Sequence, residues 1–245
     1  MSKYWFMGAA VWAALTCAAP AAHADSLTIK ALGPTALGQS VSITHPNSSG
    51  SPTTYGGFAG FYAWEKQSGD GPIANGTFQT FCIELTEYFS TGSTHTVQYA
   101  NPQDAPDPGN PLATVGHMGL AKANLLSELF GRFFDTVDTA KEAAAFQVAI
   151  WEIVFDTGLK LGAGQGQVYV NNASHMNAGN YGAIAQSYLD ALDGTGPHMH
   201  LLALSKVGFQ DQIVPNPVPA PPGLVLAGIG FLGLMGWRGR RPARG

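Results

Sequence analysis

The residues of this 245-residue chain with most chemistry to offer are its two cysteines, Cys17 and Cys82, and one glutamine, Gln147. Cys17 falls in an apolar leader whose removal leaves Cys82 as the sole thiol. A lone thiol outside the cytoplasm has no intrachain disulfide partner, so it is either a small buried hydrophobe or a nucleophile. It sits in Phe78-Gln79-Thr80-Phe81-Cys82-Ile83-Glu84-Leu85. Strand alternation sends Phe81, Ile83 and Leu85 to one face and Thr80, Cys82 and Glu84 to the other. The pattern predicts a mixed polar face on which a partner can approach Cys82.

Gln147 lies in a helical pattern, and its neighbours three and four positions away are Ala143, Ala144, Ile150 and Trp151. All are apolar, so the amide is expected to point into a packed site, where each unpaired polar atom costs about 1–3 kcal/mol. Two answers stay open: a hydrogen bond to main chain, or an amide that has reacted.

These residues resemble the thioester domains of bacterial surface adhesins. Phe81-Cys82-Ile83 is similar to their aromatic-Cys-aliphatic motif, and Phe146-Gln147-Val148-Ala149-Ile150-Trp151 to their T-Q-x-A-I-W motif, with Phe146 in place of Thr. The resemblance implies a bond between the Cys82 sulfur and the Gln147 side-chain carbonyl, with ammonia as the leaving group. Fixed proximity lowers such a barrier by about 7–11 kcal/mol, so no helper enzyme and no cofactor are expected. Phe81, Phe146 and Trp151 are expected to shield the bond from water. An amine or hydroxyl on a surface target would open it, leaving the partner on Gln147 and a free thiol on Cys82.

Other constellations are weaker. Glu84 and Glu87 with Glu152 and Asp156 offer carboxylates for a glycosidase, but read as solvated faces. His198 and His200 are two ligands without a third, so no metal centre is expected. Asp104, Asp107 and Asn110 match no calcium-loop spacing. With no G-x-S-x-G, Walker or dinucleotide sequence either, the chain reads as a binding protein and not an enzyme.

Strands are expected over 26–32, 39–44, 57–64, 77–85, 94–99, 167–170 and 200–207, and helices over 117–134, 140–155 and 181–192. Thr139 and Glu142 form a capping box for the second helix, and Gly158 offers its stop. Strands flanking a helical block predict a β-rich α+β fold, an antiparallel β-barrel or sandwich with inserted helices.

Both ends read as addresses. Residues 1–24 carry Lys3, an apolar run and Ala22-His23-Ala24 before Asp25, the pattern of a cleaved signal peptide. The thioester-like domain is expected over 25–210, a proline-rich linker over 211–222 and a sorting segment over 223–245. That segment resembles the PEP-CTERM sorting signal. Pro219-Ala220-Pro221 stands at the P-E-P position, followed by a Gly-containing apolar stretch over 224–237 and by Arg238, Arg240 and Arg241. The resemblance implies an exosortase-type processing enzyme, transient membrane residence through 224–237, and release to the surface of a cell that makes exopolysaccharide.

Charge is sparse, at 11% of residues, and asymmetric. Five of the twelve Lys and Arg lie at the extreme ends, which leaves seven against sixteen Asp and Glu in between. So acidic a middle does not suit a nucleic-acid partner. The alternative to a covalent adhesin is a matrix protein holding exopolysaccharide noncovalently through Tyr55, Phe58, Tyr62 and Trp64.

Overall fold

A computed structural model describes residues 26–47, 49–106 and 116–216. Seven strands, β1 (Ser26–Pro46), β2 (Pro52–Gly69), β3 (Gly76–Cys82), β4 (Thr94–Ala100), β5 (Tyr169–Val170), β6 (Leu201–Ser205) and β7 (Gln212–Pro215), form one sheet. Three helices, α1 (Gly119–Phe133), α2 (Ala140–Phe155) and α3 (Tyr181–Asp190), are inserted between β4 and β6. All pairings are antiparallel. The fold is β-rich α+β, as the patterning predicts.

β1 pairs with both β2 and β4 through the same residues, Leu27 to Lys30. The order β1-β2-β3-β7-β6-β4 therefore returns to β1, and six strands close a ring. β5 adds to the far end of β1, at Ile43 and Thr44. Leu27, Ile29, Trp64, Val97, Leu204 and Val214, drawn from five of these strands, pack with Phe209 as one buried cluster within the ring.

The first two expected strands are one. β1 runs on through Gly33, Pro34 and Gly38, with register shifts at Thr28/Ile29, Ala31/Gly33 and Pro34/Gly38 that absorb the irregularity as bulges. Gly60, opposite Gly38, has φ +142°, and a Cβ there would collide with the Leu37 carbonyl. Glycine is needed where the two strands bend past each other. β2 is likewise longer than expected, whereas β3 stops at Cys82 and β6 at Ser205. β7 was absent from the expected set, because Gln210-Asp211-Gln212 reads as loop and β7 falls in the stretch assigned to the proline-rich linker.

Helix boundaries differ little: α1 starts at Gly119, α3 ends at Asp190, and α2 has the expected bounds. The Thr139–Glu142 capping box starts α2 with both of its reciprocal bonds present. Its stop is supplied by Asp156, one carboxylate oxygen of which accepts from Thr157 N–H at 2.6 Å and Gly158 N–H at 3.4 Å. Every residue from Ala143 to Phe155 is buried, so α2 is an interior helix. It packs on the outer face of the ring, where Phe146 meets Phe81 and Phe130 with ring centroids 4.9 Å apart in each pair.

Glu128 anchors α1 to the 193–196 turn. It is fully buried and accepts from Arg132, Gly194 N–H and Gly196 N–H at 2.8, 2.8 and 3.1 Å. Burial works against its charge, but Arg132 and these backbone donors outweigh it and hold the carboxyl below the ordinary range.

Candidate functional site

The pairing of β3 with β2 ends at Thr80, opposite Tyr62. Two residues on, Cys82 has β7 on one flank and no strand on the other, which leaves its own N–H and C=O without a ladder partner there. Gln147, two turns into α2, supplies one. Cys82 N–H donates to Gln147 Oε1 at 2.9 Å, and Gln147 Nε2 donates to Cys82 O at 2.7 Å. The carboxamide has the same donor and acceptor as a peptide group, so it completes the missing rung. Of the two answers left open for this amide, the structure has it bonded to main chain, and the main chain is that of Cys82.

The sulfur is enclosed, not presented to solvent. The residues expected on the open face are closed over: Cys82 is fully buried and Thr80 and Glu84 are 1% exposed. The expectation of an approachable polar face is corrected by the closed ring and by β7, whose Gln212 lies directly opposite Cys82. Cys82 Sγ donates to Gln212 Oε1 at 3.6 Å, and Gln212 Nε2 donates to Sγ at 3.5 Å. Burial pushes the thiol up to about 12, the Gln212 contact pulls it back in part, and the Glu84 charge adds to the rise.

Phe81, Phe146 and Trp151 are all buried. Phe81 and Phe146 stack on the helix side of β3, whereas Trp151 meets Tyr55 edge to face at 5.5 Å. Among the described residues the Trp151 indole N–H, which is buried, has no hydrogen-bond partner. Beyond Tyr55 lies a cleft of about 250 Å³ lined by His45, Thr53, Tyr55, Leu85, Thr86 and Tyr88.

The carboxylates are not solvated, contrary to expectation. Glu84 is buried against Asp211 and Glu87, and Glu152 against Asp156. Burial, reinforced by those like charges, raises each to about 8, and each keeps one oxygen without a partner among the described residues. Asp156 organises the loop after α2, its second oxygen taking the N–H groups of Gln167 and Val168.

His198 and His200 are exposed and precede β6, so they do not share a strand face. Among the described residues no group of three or more His, Cys, Asp or Glu could hold a metal. Asp104 accepts from Asn101 Nδ2 at 3.1 Å. Asp107, Asn110, Pro219, Ala220, Pro221, Arg238, Arg240 and Arg241 lie outside the described residues, as do both expected address segments. Among the described residues no helix is long and apolar enough to cross a membrane. Of the aromatics proposed for sugar contact, Trp64 is fully buried and spends its indole N–H on Thr80.

Compared with protein-family models, characterised proteins and solved structures, the chain matches none.

Gln212 is the residue of this site that the sequence reading missed. The available signal was the Gln-x-Gln alternation at 210 and 212 running into Ile213 and Val214, a strand pattern with amides in place of apolar residues.

Proposed function

We propose that this is an exported surface or matrix protein that closes a Cys82–Gln147 thioester and spends it once, bonding covalently to an amine- or hydroxyl-bearing partner. The observation that carries the reading is the double hydrogen bond between the Gln147 carboxamide and the Cys82 main chain. It fixes the Gln147 carboxamide at the main chain of Cys82, and its Cys82 N–H would stabilise negative charge on Oε1 as sulfur adds.

In closing, a bond forms between Sγ and the Gln147 side-chain carbon, the carbon–nitrogen bond breaks, and the thiol proton leaves with the nitrogen as ammonia. Buried aromatics keep water from the product. The cleft beside Tyr55 and Tyr88 is lined by the Tyr55 ring that packs on Trp151, and its hydroxyl-rich lining suits a polar nucleophile such as a lysine side chain or a sugar. The terminal segments supply export, processing by an exosortase-type enzyme and release among exopolysaccharide.

Intact mass of freshly purified protein is the test. Wild type is expected to lack one ammonia, Cys82→Ala and Gln147→Ala to show no deficit, and methylamine to add to wild type alone. The same spectra read the ends: a product starting near Asp25 and lacking Arg238 to Gly245 is expected. If wild type shows no ammonia deficit, the covalent reading falls and a noncovalent exopolysaccharide-associated matrix protein replaces it.

A further inference from the structure

The cleft of about 250 Å³ beside Tyr55 has an aromatic side and a polar side. Tyr88 lies in the loop between β3 and β4 and is 65% exposed, yet the loop is held down on both sides of it. Leu85 is buried before it, and after it the Phe89 ring packs on Trp64 and Tyr62 with centroids 4.5 and 5.1 Å apart. An exposed ring on an anchored loop is a preformed platform, which a ligand need not order on binding. Tyr55 is fixed as firmly, its ring set edge to face against His45 and Trp151 and its hydroxyl donating to Phe58 O at 3.1 Å.

The polar side is preset by bonds made within the fold. Asn47, which also lines the cleft, accepts at Oδ1 from Ser49 N–H, Ser49 Oγ and Ser51 N–H at 2.9, 2.7 and 3.0 Å. Its oxygen is spent on the turn after β1, and its Nδ2, without a partner among the described residues, is left as a donor. His45 Nδ1 lies 2.8 Å from Pro46 O, and because a carbonyl only accepts, that nitrogen carries the proton. Burial lowers the His45 pKa, so the ring is neutral and its Nε2 is an acceptor. Thr86 donates its one hydroxyl proton to Glu84 Oε1 at 2.8 Å and keeps its lone pairs for a ligand. Among the described residues no Lys or Arg lines the cleft, and the charged neighbours of Thr86 in the chain are Glu84 and Glu87.

We propose that this cleft binds a single uncharged sugar ring noncovalently, stacked on Tyr88 and hydrogen-bonded to Asn47, His45 and Thr86. Sugar hydroxyls donate and accept at once, which suits a lining that offers both, and the C–H face of the ring is drawn to the negative face of an aromatic side chain. An anionic sugar would find no cation here. The volume falls below the roughly 300–1,000 Å³ of pockets for larger molecules, so one ring is seated and the rest of any polysaccharide lies outside. Where the covalent reading holds, a sugar seated here is its hydroxyl-bearing partner, but the binding itself forms no bond and does not depend on that reading.

Saturation-transfer NMR and titration calorimetry on the purified full chain test this, with the methyl glycosides of glucose, galactose and mannose as probes. At least one is expected to bind with a Kd of about 1–10 mM, the range of a small ligand with few contacts. Tyr88→Ala should weaken that binding about tenfold and Tyr88→Phe should retain it, whereas Leu120→Ala, at a similarly exposed residue of α1, should leave it unchanged. Cys82→Ala should bind like wild type, so a wild-type mass without an ammonia deficit removes the thioester and leaves this site standing. Silence from all three glycosides, equal affinity in Tyr88→Ala, or tighter binding of the methyl glycoside of galacturonic acid overturns the proposal. A lysine-containing peptide bound in place of all three gives the cleft to a protein partner and overturns it too.

Discussion

The Gln147 carboxamide takes the place of a strand beside Cys82, accepting its N–H at 2.9 Å and donating to its C=O at 2.7 Å. A helix side chain thus completes a sheet ladder at the point where β2 turns away from β3. This role exists whether or not the amide later reacts, which allows its structural and chemical contributions to be separated.

In the Cys82→Ala background, where no thioester forms, Gln147→Leu should still destabilise the protein. It strands a buried N–H and a buried C=O, at a cost of about 2–4 kcal/mol. Urea denaturation of the single and double variants reads the difference, and equal midpoints would show the two bonds to be without consequence.

Cys82 should resist iodoacetamide at pH 8 under native conditions even in Gln147→Ala. Its thiol is fully buried and pushed up to about 12, so little thiolate is present and no reagent reaches it. Alkylation should become rapid in urea. Resistance of wild type is therefore no evidence of a thioester, which is why the ammonia deficit is decisive.

Stability should fall as pH rises from about 5 to 8. Glu84 and Glu152 carry pKa values of about 8 in the fold against an ordinary 4.5, so through that interval the folded state keeps protons that the unfolded chain has released. Each group contributes a slope of at most about 1.4 kcal/mol per pH unit. The stabilisation is complete below the unfolded value and is lost as pH climbs through the folded one. Glu128, held below the ordinary range, works in the opposite sense at lower pH. Urea midpoints at pH 5 and pH 8 should converge in Glu84→Gln and in Glu152→Gln, and an unchanged difference in both would contradict the assignment.

Gly131→Ala should destabilise, although the same change in an exposed helix is favourable by about 1 kcal/mol. Gly131 lies in α1 with the Pro197 carbonyl where a Cβ would stand. Separating α1 from the 193–197 turn should cost about 1–3 kcal/mol and strain the Glu128 anchor. A melting temperature equal to or above that of wild type would refute it.

Much of this architecture was legible in the chain. α2 declared its start through a capping box and its extent through a largely apolar run, and the apolar neighbours of Gln147 announced a buried amide. What hid was whatever depended on closure. Alternation set Thr80, Cys82 and Glu84 on a polar face, but a strand pattern does not say which residues a barrel closes over, and polar residues bias the reading toward solvent. β7 escaped for the same reason: Asp211 and Gln212 are fully buried polar residues whose partners, Ser205 and Lys206 for one and Thr80 and Cys82 for the other, come from other strands or turns. Gly33-Pro34 looked like a break because local propensity marks turns, whereas long-range pairing with β2 carried the strand through as bulges.

Because β1 pairs on both sides, the six-strand ring has no terminal strand to recruit a neighbour along its whole length. Sheet proteins packed densely face a standing hazard of templated fibril growth, chain adding to chain through exposed edges. On the proposed reading, a protein of a crowded extracellular layer would meet that hazard less through a ring without end strands.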